Sequence, residues 1–562
     1  MTGDSPSVNH RSEPAASGPA GSRVVDAVAR AVRVGTAAAV AEALAAVPAA
    51  DIAGFYHARL DLDPGIEAAG HGVAASPGAA SGRLAFTSEA ALAAADEGED
   101  VILVRSETTP DDVLGMQASA GILTARGGLA SHAAVVARGW GIPAVVGVED
   151  LTLDGDRLVL GGHTLVAGDE ITVDGSTGAV YLGRLATATS DVPAELETLL
   201  AWADTVAEGH VEVRVNADTG PDATQGRALG ARGIGLCRTE HMFLAPDRLP
   251  IMRRFILAAD PDAEAAALAE LEEVQTDDFE EILSAMDGLP VTVRLLDPPL
   301  HEFLPDLVDL TARQARGELD RAGEAELEAV RRLHETNPMI GTRGVRLGFV
   351  RPGVYQMQVR ALCRAAANLL RQGRSPRVEM MIPLVAITAE LVKARDFIHD
   401  VLDEIGHPDL SSTTLTVGVM IETPRAALVA GALAGHADFF SFGTNDLTQL
   451  TYGFSRDDVE ARLRPTYAAH GVLATNPFAE LDRSGVGTLV EMACVAARAA
   501  RPTIMLGVCG EHAGHPDSIR YLVDSGVDSV SCSPYRVPVA RLAVAQALLA
   551  GGRAGPEGLS FS

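Results

Sequence analysis

The chain has 562 residues, 47% of them apolar, with 75 Asp and Glu against 45 Lys and Arg and a formal charge of −30. That excess of acid excludes a basic nucleic-acid-binding surface, and any phosphate site must be built locally from arginines. No uncharged apolar run approaches the roughly 18 residues a membrane helix needs, and no basic stretch leads into an apolar core at the start, so the expected location is the cytoplasm, with no membrane contact.

Residues 1–22 are rich in Ser, Pro and Gly and are expected to be disordered. Residues 23–60 are Ala- and Val-rich at helical spacing and predict two short helices, to which no chemistry attaches; together 1–66 form the leading segment. A β/α domain is expected over 67–183, with β-like runs at 82–86, 101–104, 121–124, 144–148, 158–160, 170–173 and 180–182.

Inside that domain lies Gly127-Gly128-Leu129-Ala130-Ser131-His132-Ala133-Ala134-Val135-Val136-Ala137-Arg138, followed by Gly139, Gly141 and Pro143. The glycines permit a tight turn, Ser131 occupies an N-cap position, and His132 opens an Ala/Val helix that Gly and Pro then stop. Unpaired N–H groups and the helix dipole favour an anion at that end, so a phosphoryl group carried by the imidazole would be held there.

Residues 184–210 predict a helical linker. Beyond it, over 211–553, eight apolar runs recur with helical segments between most of them: 211–215, 233–236, 291–296, a weaker one at 340–347, 378–384, 415–421, 439–442 and 503–508. That repeat predicts a (β/α)8 barrel, whose active face is the C-terminal ends of its strands. Charged and polar residues follow the runs there: Arg238 and Glu240, Arg294 and Asp297, Glu422, Asn445 and Asp446, Cys509 and Glu511.

With Arg343, the two strand-end arginines supply forked donors for phosphate and carboxylate oxygens. Glu422 and Asp446 are hard carboxylate ligands suited to Mg²⁺, and Asn445 offers donors to a carboxylate. Five cysteines at wide, irregular spacing, Cys237, Cys363, Cys494, Cys509 and Cys532, fit neither a disulfide framework nor a zinc site.

The runs Gly233-Ile-Gly-Leu-Cys-Arg238-Thr-Glu-His-Met-Phe243, Val293-Arg294-Leu-Leu-Asp-Pro-Pro-Leu-His-Glu-Phe303, Asn337-Pro-Met-Ile-Gly-Thr-Arg343-Gly, Met420-Ile-Glu422-Thr-Pro-Arg425, Ser441-Phe-Gly-Thr-Asn445-Asp446-Leu-Thr-Gln449 and Gly507-Val-Cys509-Gly-Glu-His512 resemble the phosphoenolpyruvate-utilising enzymes. The likeness covers about 72–546. Cys237, His241 and the Asp-Pro-Pro-Leu-His-Glu run resemble the dikinase branch rather than enzyme I of the sugar phosphotransferase system.

The resemblance implies a swivelling phosphohistidine domain joined by the helical linker to a (β/α)8 barrel. It implies that His132 carries the phosphoryl group and that Arg238, Arg294 and Arg343 bind substrate together with Gly443, Thr444, Asn445 and Asp446. Glu422 and Asp446 would be the Mg²⁺ ligands, Glu422 also facing substrate, and Cys509 the proton donor to the methylene carbon. The implied substrates are phosphoenolpyruvate and pyruvate, and the implied assembly is a homodimer.

Two departures qualify the expectation. Dikinases begin with a large ATP-grasp domain, whereas only about 70 residues here precede the histidine domain, without a glycine-rich phosphate loop; the nucleotide step is therefore expected either from a separate nucleotide-binding protein or not at all. Ala130 stands where dikinases carry a threonine two residues before the histidine. The expected activity is the phosphoenolpyruvate/pyruvate half-reaction on His132. Two alternatives are an enzyme I-like transfer to a phosphocarrier protein and a phosphoenolpyruvate-sensing regulator without catalysis.

Overall fold

The computed structural model describes residues 20–554 apart from 61, 63–64, 109–111, 129–130, 149, 190–191, 246, 259, 407–413 and 474. The side chains of residues 132, 135, 139, 189, 457–458, 460–462 and 464–465 also lie outside that description. Most of the segment expected to be disordered, residues 1–19, falls outside it as well. From Ala20 the structure differs from the expectation, because the first helix already begins there.

Three helices, Ala20–Val34, Ala37–Ala46 and Ala49–Ile52, and the 3-10 turn Ala53–Phe55 replace the two expected. Their buried faces, including Val24, Val28, Val40, Leu44 and Ile52, share one continuous core with the barrel. Gln546, on the last helix Val537–Ala550, donates to the carbonyls of Leu44 and Val47 at 2.7 and 2.8 Å, satisfying groups that a helix end leaves unpaired. Strand Ala58–Leu60 then pairs antiparallel with Thr187–Thr189.

An eight-stranded sheet follows, with spatial order Gly70–His71, Ala179–Leu182, Glu170–Asp174, Ala79–Ala85, Val101–Arg105, Gly121–Thr124, Ala144–Val146 and Val73–Ser76. Its centre, from Ala79–Ala85 to Ala144–Val146, is parallel. Helix His132–Trp140 is the crossover between the last two central strands. Ala133, Ala134 and Ala137 are small enough to seat it closely on Leu103, Ile122 and Val146. His132 therefore begins a helix beyond the carboxyl ends of parallel strands, where open α/β sheets place their ligands.

The remainder is a closed parallel barrel of eight strands in sequential order: β1 Glu212–Asn216, β2 Ile234–Arg238, β3 Pro290–Arg294, β4 Arg377–Ile382, β5 Leu415–Ile421, β6 Phe439–Phe442, β7 Met505–Val508 and β8 Ser529–Cys532. Strand β8 closes the ring on β1, pairing Glu212 to Val215 with Ser529 to Cys532. One of the eight expected strands is corrected. The run 340–347 is the end of the 3-10 turn Pro338–Ile340, a loop, and the start of helix Val345–Val350. Gly344, at φ +57°, is left-handed there, and its N–H donates to the Asp297 carbonyl at 2.7 Å rather than to a strand neighbour.

The true eighth strand, Ser-Val-Ser-Cys, alternates small polar and apolar residues and lacks the apolar run expected of a buried parallel strand. In the linker region, helix Ala194–Ala207 is fastened to the final helix by Asp204, which accepts from both arms of Arg541 at 2.8 and 2.7 Å. All five cysteines are buried and free.

Candidate active site

The histidine helix is built as its sequence dictates. The Ser131 hydroxyl accepts from the Ala134 N–H at 3.4 Å and donates to the Gly128 carbonyl at 2.9 Å, and Gly141 ends the helix in the left-handed region at φ +69°. Leu129, Ala130 and the His132 side chain lie outside the described residues.

In the barrel, Arg238 and Arg294 are the final residues of β2 and β3, while Glu422, Gly443 and Cys509 each immediately follow β5, β6 and β7. Several separate strand ends thus face one mouth. Arg294 donates to Asp297 at 2.7 Å and pairs with Glu240. Arg343, from the loop before Val345–Val350, binds Asp297 through Nε at 3.2 Å and Nη2 at 2.5 Å, and reaches Asp446 at 3.4 and 3.5 Å. Burial alone would weaken both guanidinium charges, but the carboxylates around them outweigh it and raise both above the ordinary arginine value. They remain charged in a nearly dry pocket.

Asp297, Glu422 and Asp446 each offer an oxygen, all within 4.8 Å of one another. Glu422 is fully buried; its Oε1 accepts from the Leu384 N–H at 2.5 Å, and its Oε2 has no hydrogen-bond partner among the described residues. Leu384 is the one non-glycine residue among those described with a positive φ, +56°. That strained backbone aims its amide at the carboxylate, the kind of cost that collects at functional sites. Burial, then Asp297 and Asp446, push the Glu422 carboxyl well above the usual range, against Arg343 and Arg294. Three hard oxygen donors with one orphaned carboxylate oxygen fit a divalent cation such as Mg²⁺.

Gly443 is required by proximity. A Cβ there would stand 2.9 Å from the Glu422 Cβ and 3.0 Å from its Oε2. Next to it, Thr444 Oγ1 lies 2.8 Å from His512 Nδ1, whose Nε2 lies 2.8 Å from the Pro477 carbonyl. The carbonyl only accepts, so Nε2 carries the proton and the threonine hydroxyl donates to Nδ1. Asn445 Oδ1 accepts from the Glu511 N–H at 3.0 Å. Arg238 stands apart from the Asp297 cluster: its backbone N–H donates to Asp218 at 2.6 Å, and the same carboxylate holds His241 Nδ1 at 2.7 Å.

Cys509 is 2% exposed, in an apolar layer with Leu236, Met381, Met420 and Phe439. Burial raises its thiol above the ordinary value despite Ser441, Arg238 and Arg294, so the sulfur keeps its proton. A buried thiol beside charged groups suits proton donation better than nucleophilic attack.

The geometry thus adds Asp297, Glu240 and His512 to the residues assigned roles from sequence. Asp297 carried the readable signal, a carboxylate three residues beyond a strand-end arginine; His512 carried none, because its role depends on contacts 68 and 35 residues away.

The chain, a barrel with this cluster at its mouth beside a sheet domain in which His132 opens a Ser131-capped helix, belongs to the phosphoenolpyruvate-utilising enzyme family. Residues 192–549 match the family described as PEP-utilising enzyme, PEP-binding domain, and residues 97–178 match PEP-utilising enzyme, mobile domain. Among individual relatives, the chain is 48% identical over 482 residues to pyruvate, phosphate dikinase 1, chloroplastic, of Arabidopsis thaliana, covering 85% of this chain and 50% of the relative. It is 47% identical over 517 residues to pyruvate, phosphate dikinase of Rhizobium meliloti (strain 1021), covering 91% and 57%. The Clostridium symbiosum pyruvate, phosphate dikinase is 46% identical over 486 residues, covering 86% and 55%. The chain spans about half the length of the curated relatives it matches.

Proposed function

We propose that this chain transfers a phosphoryl group between phosphoenolpyruvate and His132, the dikinase-type half-reaction that yields or consumes pyruvate. The observation that carries this reading is the convergence of Arg294, Arg343, Asp297, Glu422 and Asp446 at the barrel mouth, with the buried thiol of Cys509 at the end of β7.

Arg294 and Arg343 hold the anionic substrate, exchanging their present carboxylate partners for phosphoryl and carboxylate oxygens. Gly443, Thr444 and Asn445 supply the loop for the substrate carboxylate, and Arg238 flanks it. A Mg²⁺ held by Asp297, Glu422 and Asp446 would supply Lewis-acid stabilisation of charge on the enolate and phosphoryl oxygens. A nitrogen of the His132 imidazole attacks phosphorus, the N–P bond forming as the P–O bond to the enol oxygen breaks. Cys509 then gives its proton to the methylene carbon, and solvent reprotonates the thiolate. In reverse, phosphohistidine and pyruvate give phosphoenolpyruvate.

The phosphoryl group's second partner, a nucleotide-binding unit or a phosphocarrier protein, lies outside these reactions of the barrel. The similarity to dikinases favours a nucleotide-linked partner. A homodimer and a cytoplasmic setting belong to the same reading; no single described helix is long and apolar enough to cross a membrane.

Labelled phosphoenolpyruvate with Mg²⁺ should place acid-labile label on the protein and release pyruvate, and His132→Ala should abolish both. Wild-type protein that acquires no label and forms no pyruvate would refute the half-reaction. Retained label in His132→Ala would move the site elsewhere.

A further inference from the structure

Between the sheet domain and the barrel, one acidic side chain faces arginines from both. Glu511, on the 3-10 turn Glu511–Gly514 beyond β7, has Oε2 3.5 Å from Nε of Arg138, which sits near the end of the histidine helix. Nη1 of Arg138 donates to the Ala75 carbonyl at 2.9 Å, so its own sheet holds the guanidinium in place toward the barrel. The two side chains are only 10% and 22% exposed. Burial pushes the Glu511 carboxyl up, but Arg138, Arg456, Arg536 and Arg238 outweigh it and hold it at about 2. Its negative charge is present at any physiological pH.

A second contact lies one turn further along. Gly141, the left-handed cap of the same helix, packs on Tyr535 so closely that a Cβ would stand 2.0 Å from the ring. Tyr535 also meets the ring of His57, centroids 5.5 Å apart. Its 3-10 turn, Pro534–Arg536, follows β8, as Glu511 follows β7, so both contacts fall on the rim of the candidate site.

We propose that the Arg138–Glu511 ion pair, supported by Gly141 against Tyr535, is the docking contact that registers the histidine helix on the barrel mouth. Arg138 is then a positioning residue for transfer between the pocket and His132; the inference rests on the phosphohistidine reading above. Arg138 lies six residues from His132, about 9 Å along the helix axis at 1.5 Å per residue. A contact there fixes the axis without occupying the place of the reacting group.

The contact is also reversible. When the domains part, Glu511 keeps three barrel arginines around it and Arg138 gains water, so neither becomes a stranded buried charge. Through its N–H, Glu511 is bonded to Asn445 of the substrate loop, which links docking to the pocket.

The test compares two routes to the same label in the full chain. Phosphoramidate phosphorylates an accessible histidine without the barrel, whereas phosphoenolpyruvate with Mg²⁺ requires docking. Arg138→Ala should slow labelling from phosphoenolpyruvate about tenfold, the scale of a lost partly buried charge contact, while phosphoramidate labelling matches wild type. Arg138→Lys should recover most of the rate. Combining Arg138→Ala with Glu511→Gln should be no slower than the slower single variant, because both remove one interaction.

Wild-type rates from phosphoenolpyruvate in Arg138→Ala would overturn the proposal. So would a parallel loss by both routes, which marks a damaged sheet domain, or single effects that multiply in the double variant. Wild-type protein labelled by phosphoramidate and never by phosphoenolpyruvate would overturn the half-reaction itself, and the docking role with it.

Discussion

His512 shows how a buried residue can brace a candidate site loop from outside it, through Thr444. Burial holds its imidazole neutral, lowered from 6.5 to about 4, with Nδ1 accepting from Thr444 and Nε2 donating to Pro477. As pH falls from 6.5 toward 4, the unfolded chain takes up a proton that the folded chain refuses, so the contribution of His512 to stability declines across that window and is flat above it. The loss should approach about 3 kcal/mol, since each tenfold difference in proton affinity between the two states is worth about 1.36 kcal/mol. Urea midpoints from about pH 7.5 to 4 should show the decline in wild type and a shallower one in His512→Gln; parallel curves would refute it. The carboxyl groups give a second expectation: three ligand oxygens lie within 4.8 Å of one another, and burial beside Asp297 and Asp446 holds Glu422 toward its neutral form until a cation takes the place of its proton. Mg²⁺ at about a hundred times its dissociation constant should stabilise the protein by about 2.7 kcal/mol. A thermal shift in wild type that disappears in Asp297→Asn and Glu422→Gln, without any turnover, would establish both as ligands; a shift that survives Asp297→Asn would remove Asp297 from the set. Gly443→Ala should abolish pyruvate release while leaving the fold, since its methyl would press on the Glu422 carboxylate; activity close to that of wild type would show that the loop can give way.

Elements are legible in the sequence where apolar residues run together. Seven barrel strands, including Leu415–Ile421 and Phe439–Phe442, stand on such runs, as does the capped helix at His132. The strand expected at 340–347 fails because only Ile340, Val345 and Leu347 are apolar there, and Gly344, at φ +57°, turns the chain into helix Val345–Val350. Ser529–Cys532 escapes detection because a four-residue strand of small side chains has little pattern, and its pairing with β1 joins residues more than 300 positions apart. Charges at strand ends are readable because barrel geometry assigns them a face in advance. Their partners are not, since Asp297 meets Arg343 only after an excursion of two helices. At this scale the fastening of helix Ala194–Ala207 is testable. Asp204→Ala leaves Arg541, which is 8% exposed, without its bidentate partner and should cost about 3 kcal/mol. An unchanged melting temperature would mean that the Leu229 carbonyl, 3.0 Å from Nη1, satisfies the guanidinium alone.

Across the whole molecule, the candidate pocket draws on residues from Arg238 to Glu511, yet the ring that brings them together closes only through Ser529–Cys532, which supplies none of them. The last helix, Val537–Ala550, then packs against the first described helices, so the beginning and end of the described chain meet. During synthesis every candidate pocket residue has emerged from the ribosome before the pocket can exist. Until β8 arrives, β1 and β7 each present a bare edge, open to pairing with another nascent chain. A polypeptide cut short before residue 529 would therefore carry every candidate site residue on a ring left open between β1 and β7.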